Sequence, residues 1–379
     1  MKTPLAAPAP PGVPADTMVS EMGPCGGTAG VPAAGEAQSL KPPIFLVGFI
    51  SWKTFMDQWF PDHQVIRLST GPKTLASFVR KIPRILRDRR SQIYVWSYKS
   101  PRVVEIFCRL FAVPLVRVED GFLRSVQLGA MHVPPLSLCF AERALYFDAT
   151  VESDLEHLLQ TYDFVADAGL MERARAGIAA LIASRLSKYN SGQDTDIEAL
   201  YGPKRTPRIL VVGQVEGDMS MIKGMTRQMT NNDLVRAVVR ENPDAQVIYK
   251  PHPEVLRGIR KKPVQSSPDE VRDICLVLGE DVALADAFET VDRVYTMTSL
   301  SGLEALIRGI PVTCFGMPFY AGWGATDDRE TCSRRTRRLT VEQIFAAAYL
   351  LHPRYLDPTT GENLSFEEAL ALLARMKKG

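Results

Sequence analysis

Ile209-Leu-Val-Val-Gly213-Gln-Val-Glu-Gly-Asp-Met-Ser220 is a continuous apolar run that ends in glycine and passes into a polar, acidic loop. A short run without alternation reads as a strand buried on both faces of a parallel sheet. The residues directly after it then lie where open α/β sheets bind ligands, beyond the carboxyl ends of their strands. The pattern recurs downstream. Strand Gln246–Lys250 runs into Pro251-His-Pro253, and strand Arg293–Thr298 runs into Ser299-Leu-Ser-Gly302, which opens a helix over Leu300–Arg308. Strand Pro311–Gly316 runs into Met317-Pro-Phe-Tyr-Ala-Gly-Trp-Gly324. With a helix over Asn232–Arg240, four successive strand ends carrying polar or Gly-rich loops predict one crevice.

The first half follows the same scheme. Ile44-Phe-Leu-Val-Gly-Phe-Ile50 opens it, with further strands expected at Val65–Leu68, Ile93–Ser97, Leu115–Val118 and Ala144–Phe147. Helices are expected over Thr74–Arg87 and Arg102–Phe111, and Leu155 to Ser187 reads as mostly helical. The polar stretch Tyr189–Pro207 reads as a linker. Thr340–Leu351 and Phe366–Lys377 read as closing helices. The expected organisation is a disordered Ala/Pro/Gly-rich tail over 1–41, a Rossmann-like domain over 42–200, a second over 201–338, and a closing segment over 339–379. Two doubly wound domains facing a central cleft is the GT-B arrangement of many sugar-nucleotide transferases, an α/β class that does not by itself prove function.

Bulk properties are consistent with this. A chain of 379 residues suits two α/β domains, and a net charge of +2 gives no global field that would draw nucleic acid. Six scattered cysteines without a CxxC pair, and five histidines without zinc spacing, read as thiols of a reducing compartment and no His/Cys metal site. No apolar run approaches the roughly 20 residues that span a bilayer, so the cytoplasm is the expected address.

Chemistry collects at the strand ends. Asp218 and Glu216 lie in a Gly-containing loop, where a carboxylate serves as nucleophile, base or turn residue. His252, framed by two prolines after Lys250, is held at a strand end, suited to a phosphate or leaving group. Ser299 and Ser301 stand at a helix start, which is both an ordinary N-cap and a phosphate site. Gly302 would allow close backbone approach to a ligand. Glu304, read on the first helical turn, suits a ribose hydroxyl or the helix dipole. In the first half, Glu119-Asp-Gly-Phe-Leu-Arg-Ser125 follows a strand and would face the same cleft, and carboxylates from both sides suit retaining sugar chemistry.

Several segments together resemble the bacterial capsule-synthesis transferases of 3-deoxy-manno-octulosonic acid (Kdo), of the KpsC/LipA type. The resemblance runs from about residue 44 to 362. It rests on Glu119–Ser125, Pro134-Pro-Leu-Ser137 with Tyr146-Phe-Asp148, Gly213-Gln-Val-Glu216 and Tyr249-Lys-Pro-His-Pro253. Further segments are Thr298-Ser-Leu-Ser-Gly-Leu-Glu-Ala305, Pro318–Gly324 and His352-Pro-Arg-Tyr-Leu-Asp-Pro358. It implies a GT-B fold, CMP-β-Kdo as donor substrate with no further cofactor, no metal, and retention by double displacement.

Carried onto this sequence, the resemblance makes Asp218 the nucleophile and places His252, Ser299 and Ser301 at the CMP phosphate. Gln214, Lys250, Gly302, Glu304 and Arg124 join the donor-binding set. Glu119 and Asp120 supply acid/base help, with the choice between them open, and Glu216 is the other carboxylate of the nucleophile loop. Where the family commonly has two acids after Gln-Val-Glu, this chain has Gly217 before Asp218. Long members carry two transferase modules, and this chain has room for one. Expected partners are a lipid-linked Kdo acceptor, other capsule-synthesis enzymes and the inner-membrane surface, with no nucleic acid. The competing expectations are a transferase of another CMP-activated donor (a sialic acid or glycerol phosphate) and a non-catalytic factor of capsule assembly or export. No strand is followed by GxGxxG, which disfavours a nicotinamide dehydrogenase.

One segment points to the membrane. Lys73, Arg80, Lys81, Arg84, Arg87, Arg89 and Arg90 interleave with Leu75, Phe78, Val79, Ile82, Ile85 and Leu86, with Asp88 the one acid among them. This is either a basic amphipathic helix for an anionic leaflet or a solvated helix whose apolar stripe packs on the sheet. Pro83 interrupts the pattern.

Overall fold

The computed structural model describes residues 41–190, 195–259 and 265–378; the expected tail before residue 41 lies outside them. The first apolar run forms β1 (Pro43–Val47). Ile44 and Leu46 join one apolar cluster and Phe45 and Val47 another, as the period of two demands of a strand covered on both faces. With β2 (Gln64–Arg67), β3 (Gln92–Trp96) and β4 (Leu115–Asp120) it makes a parallel array in the order β2-β1-β3-β4. The crossovers α1 (Thr74–Arg87) and α2 (Arg102–Leu110) lie side by side on one face, Phe78 meeting Phe107 edge to face at 5.2 Å. α1 runs through Pro83, whose exposed position leaves the freed carbonyl to water.

The fifth strand is not at Ala144–Phe147. β5 is Ser137–Ala141, antiparallel to β4, and residues 144–147 form a buried turn instead. Their apolar character serves side-chain packing: Tyr146 lies 4.6 Å from Phe122 and 5.8 Å from Phe319, ring to ring. α3 (Asp154–Thr161) and α4 (Ala168–Ala183) follow, each with an acid or serine accepting from its first turn: Ser153 from the Glu156 amide, Asp167 from that of Leu170. The expected linker contains a further helix, α5 (Ile197–Tyr201), capped by Asp196.

The decisive apolar run is β6 (Arg208–Val212), every residue buried. Then come α6 (Met219–Gly224), α7 (Asn231–Glu241), β7 (Gln246–Lys250), α8 (Pro253–Leu256), β8 (Leu276–Val277) and α9 (Leu284–Ala287). β9 (Arg293–Thr296), α10 (Leu300–Leu306), β10 (Val312–Cys314) and β11 (Asp327–Asp328) complete the second sheet. Its order, β8-β7-β6-β9-β10-β11, is parallel throughout and doubly wound about β6 and β9. α7 starts in a reciprocal Thr230/Asp233 capping box, which explains its sharp beginning after a polar loop.

The closing segment is more than helical. α11 (Val341–Phe345) passes into a π-helical turn, Ala346–Leu351. Then β12 (Pro353–Leu356) and β13 (Asn363–Leu364) extend the first sheet beyond β5, before α12 (Phe366–Lys378). The chain end thereby returns to the half in which it began. One core cluster joins Leu210, Ile248 and Val294 of the second sheet to Leu170 and Leu181 of α4 and to Phe345, Tyr349 and Phe366. A buried ion pair reinforces the junction: Arg335 lies 3.0 Å from Glu156, both almost inaccessible, and donates to the carbonyls of Pro318 (2.6 Å) and Ala321 (2.7 Å).

Candidate active site

Both sheets reverse their winding at the cleft: the first between β1 and β3, the second between β6 and β9. Gln214, just past β6, clasps the second reversal. Its Oε1 accepts from the Thr298 amide at 2.7 Å and its Nε2 donates to Thr298 Oγ1 at 3.0 Å. A cavity of about 710 Å³ opens between the two reversal points. Glu119, Asp120 and Arg124 line it from the first half; Gln214, Glu216, Asp218, Lys250, His252, Ser299, Ser301 and Glu304 line it from the second.

The two carboxylates of the β6–α6 loop have different environments. Glu216 is buried and accepts from the Asn231 amide (2.7 Å), Asn231 Nδ2 (3.0 Å), the Ser266 amide (2.9 Å) and Ser266 Oγ. It ties the loop to α7 and to the strand-to-strand connection around Ser266. Asp218 is exposed at the start of α6, caps no amide with its side chain, and accepts from Ser220 Oγ at 3.1 Å. Between them Gly217 has φ +77°, a conformation that a β-substituted acid would adopt only under strain. The departure from paired acids is thus built into the backbone.

On the second-sheet wall, Lys250 is buried with Nζ 4.0 Å from Asp281, and burial lowers its pKa against the pull of that carboxylate. His252 Nδ1 accepts from the Glu254 amide at 3.2 Å, which in the neutral ring assigns the proton to Nε2. Ser299 Oγ accepts from the Ser301 amide at 3.2 Å and donates to Ser301 Oγ at 3.1 Å, so the serine caps α10 while lining the cavity.

Two expectations on α10 are corrected. Glu304 is the fifth residue after its cap Ser299, on the second turn rather than the first, so the helix-dipole reading falls away. Its Oε1 accepts from the Lys188 amide at 3.1 Å and its Oε2 has no hydrogen-bond partner among the described residues. Burial pushes its carboxyl up to about 7 although Arg308 and Lys188 pull it down. Gly302 is absent from the lining: a Cβ there would collide with Tyr320, whose hydroxyl donates to the Ser299 carbonyl. It leaves room for an aromatic ring, not for a ligand.

The fourth strand-end loop also differs from expectation. Phe319, Tyr320, Ala321 and Trp323 are buried core, Trp323 Nε1 donating to the Phe319 carbonyl at 2.8 Å, and only Pro318 and Phe319 reach the cavity. Three of the four expected strand-end loops, not all four, bring polar side chains to it.

On the first-half wall, Arg124 is buried and its nitrogens are engaged locally. Nε donates to Asp120 Oδ2 at 2.8 Å, Nη1 to Ser125 Oγ at 2.8 Å and Nη2 to the Val133 carbonyl at 3.1 Å. Burial pushes the Glu119 carboxyl up, helped by the neighbouring Asp120 charge. Burial pushes Asp120 the same way, yet Arg124, Lys53 and Lys188 outweigh it and hold that carboxyl below the usual range.

Sequence reasoning missed Lys53, Trp52, Trp96 and Lys188. Lys53 is buried at the first reversal point with Nζ 3.0 Å from the Trp96 ring centroid and 4.6 Å from that of Trp52, and burial lowers its pKa to about 7. Trp52 stacks on His132 at 5.0 Å. Their signal was Trp52-Lys53 shortly after the first strand, at the place where a sheet that winds both ways binds ligand.

The sequence model for capsule polysaccharide biosynthesis proteins matches residues 93–355. The chain belongs to that family. It is 44% identical to the lipopolysaccharide-processing protein LpsZ of Rhizobium meliloti over 352 residues, 92% of this chain and 77% of that protein. It is 37% identical to the capsule polysaccharide modification protein LipA of Neisseria meningitidis serogroup A over 338 residues, 89% of this chain but 46% of LipA, so it spans under half of that relative. Among solved structures, KpsC of Thermosulfurimonas dismutans described as a beta Kdo 2,4 transferase superposes with a TM-score of 0.73 at 33% identity, covering 88% of this chain and 98% of that one. The KpsC structure described as a beta Kdo 2,7 transferase gives 0.67 at 30%, covering 88% and 99%. The family resemblance and the α/β, two-sheet GT-B arrangement read from the sequence hold for this family member. Among its described residues no helix is long and apolar enough to cross a membrane, and no group of three or more His, Cys, Asp or Glu could hold a metal ion.

Proposed function

We propose that this family member is a retaining glycosyltransferase that moves β-Kdo from CMP-β-Kdo onto a Kdo-primed, lipid-linked acceptor during capsular polysaccharide biosynthesis. The observation that carries this reading is the pairing across one cavity of an exposed carboxylate, Asp218, with a half-buried one of raised pKa, Glu119. Both solved KpsC structures, matched over nearly their whole length, carry beta Kdo transferase in their descriptions.

In the first step Asp218 attacks the anomeric carbon, the bond to the phosphate oxygen breaks, and CMP leaves with the electron pair. Lys250, His252, Ser299 and Ser301 hold the phosphate, and the unpartnered Glu304 oxygen accepts from a ribose hydroxyl. In the second step the acceptor hydroxyl attacks the sugar ester, Glu119 takes its proton, and Asp218 leaves as carboxylate. Two inversions give net retention. Asp120, kept ionised by Arg124, keeps Glu119 basic, and Glu216 holds the nucleophile loop. An acidic acceptor sugar lies on the Trp52–His132 pair with its carboxylate toward Lys53.

In this reading residues 42–200 form the acceptor-side domain, 201–338 the nucleotide-sugar domain and 339–379 the closing segment. The enzyme works without metal, in the cytoplasm at the inner membrane, beside other capsule-synthesis enzymes. The test is CMP release and product formation with CMP-Kdo and with CMP-sialic acid, each with and without a synthetic Kdo-lipid acceptor, in EDTA. Transfer from CMP-Kdo with retained configuration supports the reading. Release from CMP-sialic acid alone, or no release from any donor, overturns it.

A further inference from the structure

α1 and α2 each bury one stripe and expose another. On α1, Phe78 and Ile85 pack on the first sheet while Leu75, Val79 and Leu86, which share a stripe at i, i+4 and i+11, face outward. The sheet-packing reading of this helix therefore accounts for one side of it and leaves the other exposed. On α2, Val104, Phe107 and Cys108 pack inward, while Val103, Ile106 and Leu110 face outward and Phe111 follows. Ile106 is 55% exposed, Leu110 74%, Phe111 54% and Val79 52%. These two neighbouring helices, with Phe111 directly after α2, hold seven of the seventeen large apolar residues exposed among those described, a concentration that single scattered residues do not produce.

The charge around this face has one sign. Arg80, Arg84 and Arg87 on α1 and Arg102 and Arg109 on α2 are exposed. The two acids of the region are neutralised locally, Asp88 by Arg90 at 3.0 Å and Glu105 by Arg117 at 3.1 Å. Both helices begin at the carboxyl ends of their preceding strands, the edge on which the cavity opens.

We infer that the outer faces of α1 and α2 together form a docking surface for an anionic lipid bilayer. The exposed apolar residues enter the acyl boundary and the flanking arginines meet the headgroups. The purpose of this surface rests on the lipid-linked acceptor proposed above, because docking would hold the cleft at the plane in which that acceptor lies; its evidence does not. Each well-placed cation is worth roughly fivefold in partitioning, falling with salt, and the apolar insertion persists at high salt. The surface thus combines a salt-sensitive and a salt-resistant part, contributed by different residues.

The test is sedimentation of the full chain with phosphatidylglycerol-rich and with pure phosphatidylcholine vesicles at low and high salt. Donor hydrolysis and transfer to a short-chain soluble acceptor are measured in parallel. Expected is strong binding to the anionic vesicles only. Ile106→Ser with Leu110→Ser should lose at least about tenfold at either salt. Arg80→Glu with Arg109→Glu should lose binding chiefly at low salt, and both pairs should keep wild-type activity on the soluble acceptor. A wild-type chain that ignores both vesicles, or binds both equally, overturns the inference. So does undiminished binding by both variant pairs, or self-association in solution that the Ile106/Leu110 pair abolishes without vesicle binding. Active enzyme that does not bind vesicles would overturn the docking surface alone; inactive enzyme that binds them would overturn the proposed function alone.

Discussion

Arg124 Nε donates to Asp120 Oδ2 at 2.8 Å, reaching back four residues to the end of β4, while Glu119 beside it has no ion pair among the described residues. That asymmetry separates two adjacent carboxylates. With Asp120 held ionised, its charge adds to burial in raising Glu119, and a carboxylate of raised pKa is the better base near neutrality.

Glu119→Gln should therefore lower transfer by about 10²–10⁴-fold, the usual range for a general base, while leaving CMP-donor binding largely intact. A base works ionised, so wild-type transfer should fall as pH drops through the raised Glu119 pKa, above the range of an ordinary glutamate. The variant should lack that limb. Rate–pH profiles of both proteins check this; an unchanged acid limb in Glu119→Gln would move the role to Asp120.

Asp218 and Glu216 lie two residues apart and should respond oppositely to substitution. Asp218→Ala should lose transfer and donor hydrolysis by about 10³-fold or more, yet fold normally, because its side chain is exposed and caps no amide. Glu216→Ala should instead destabilise the chain by roughly 1–3 kcal/mol, since it strands the amides of Asn231 and Ser266. Urea unfolding with single-turnover kinetics separates the two. Wild-type turnover in Asp218→Ala would end its assignment as nucleophile.

Lys53 should govern the acceptor more than the donor. Its ammonium, lowered to about 7 by burial between two tryptophans, loses its charge as pH rises through that value. The KM for an acidic acceptor should rise over the same range, with little change in the KM for the donor. Lys53→Met should raise acceptor KM roughly tenfold or more and remove the pH dependence, which steady-state kinetics at several pH values would show.

Much of this architecture was legible because apolar runs report burial directly. Ile209–Gly213 and Ile44–Val47 are strands covered on both faces, and the residues after them line the cavity. Ala144–Phe147 is apolar for another reason, ring packing within a turn, and local pattern does not separate the two. β12 was hidden because its strand character comes from pairing with β5, more than two hundred residues earlier in the chain, and β13 because it in turn pairs with β12. Gly302 read as ligand approach until Tyr320 occupied the space, a contact across eighteen residues. Among the site residues, acids in glycine loops stood out, whereas Lys53 did not: its environment is made by Trp96 and Asp120, on strands that the sheet order brings beside it.

Glu304 should show a conflict between stability and binding. Its folded pKa of about 7 lies above the 4.5 of a free glutamate, so between these values the folded chain holds the proton more tightly than the unfolded one. Stability without ligand must then decline as pH rises from 4.5 to 7 and level off above, by about 3 kcal/mol if the shift acts alone. Glu304→Gln keeps the shape, removes the ionisation, and should flatten that decline, leaving the variant more stable than wild type at pH 8. The same change should weaken CMP binding, because an amide replaces the carboxylate oxygen that has no partner among the described residues. Thermal or urea unfolding from pH 5 to 8, with calorimetric titration of CMP at pH 8, tests both halves. A variant less stable at pH 8 would mean that Arg308 and Lys188 compensate the buried charge. Unchanged CMP affinity would remove Glu304 from the donor site and leave it a structural carboxylate holding the Lys188 amide.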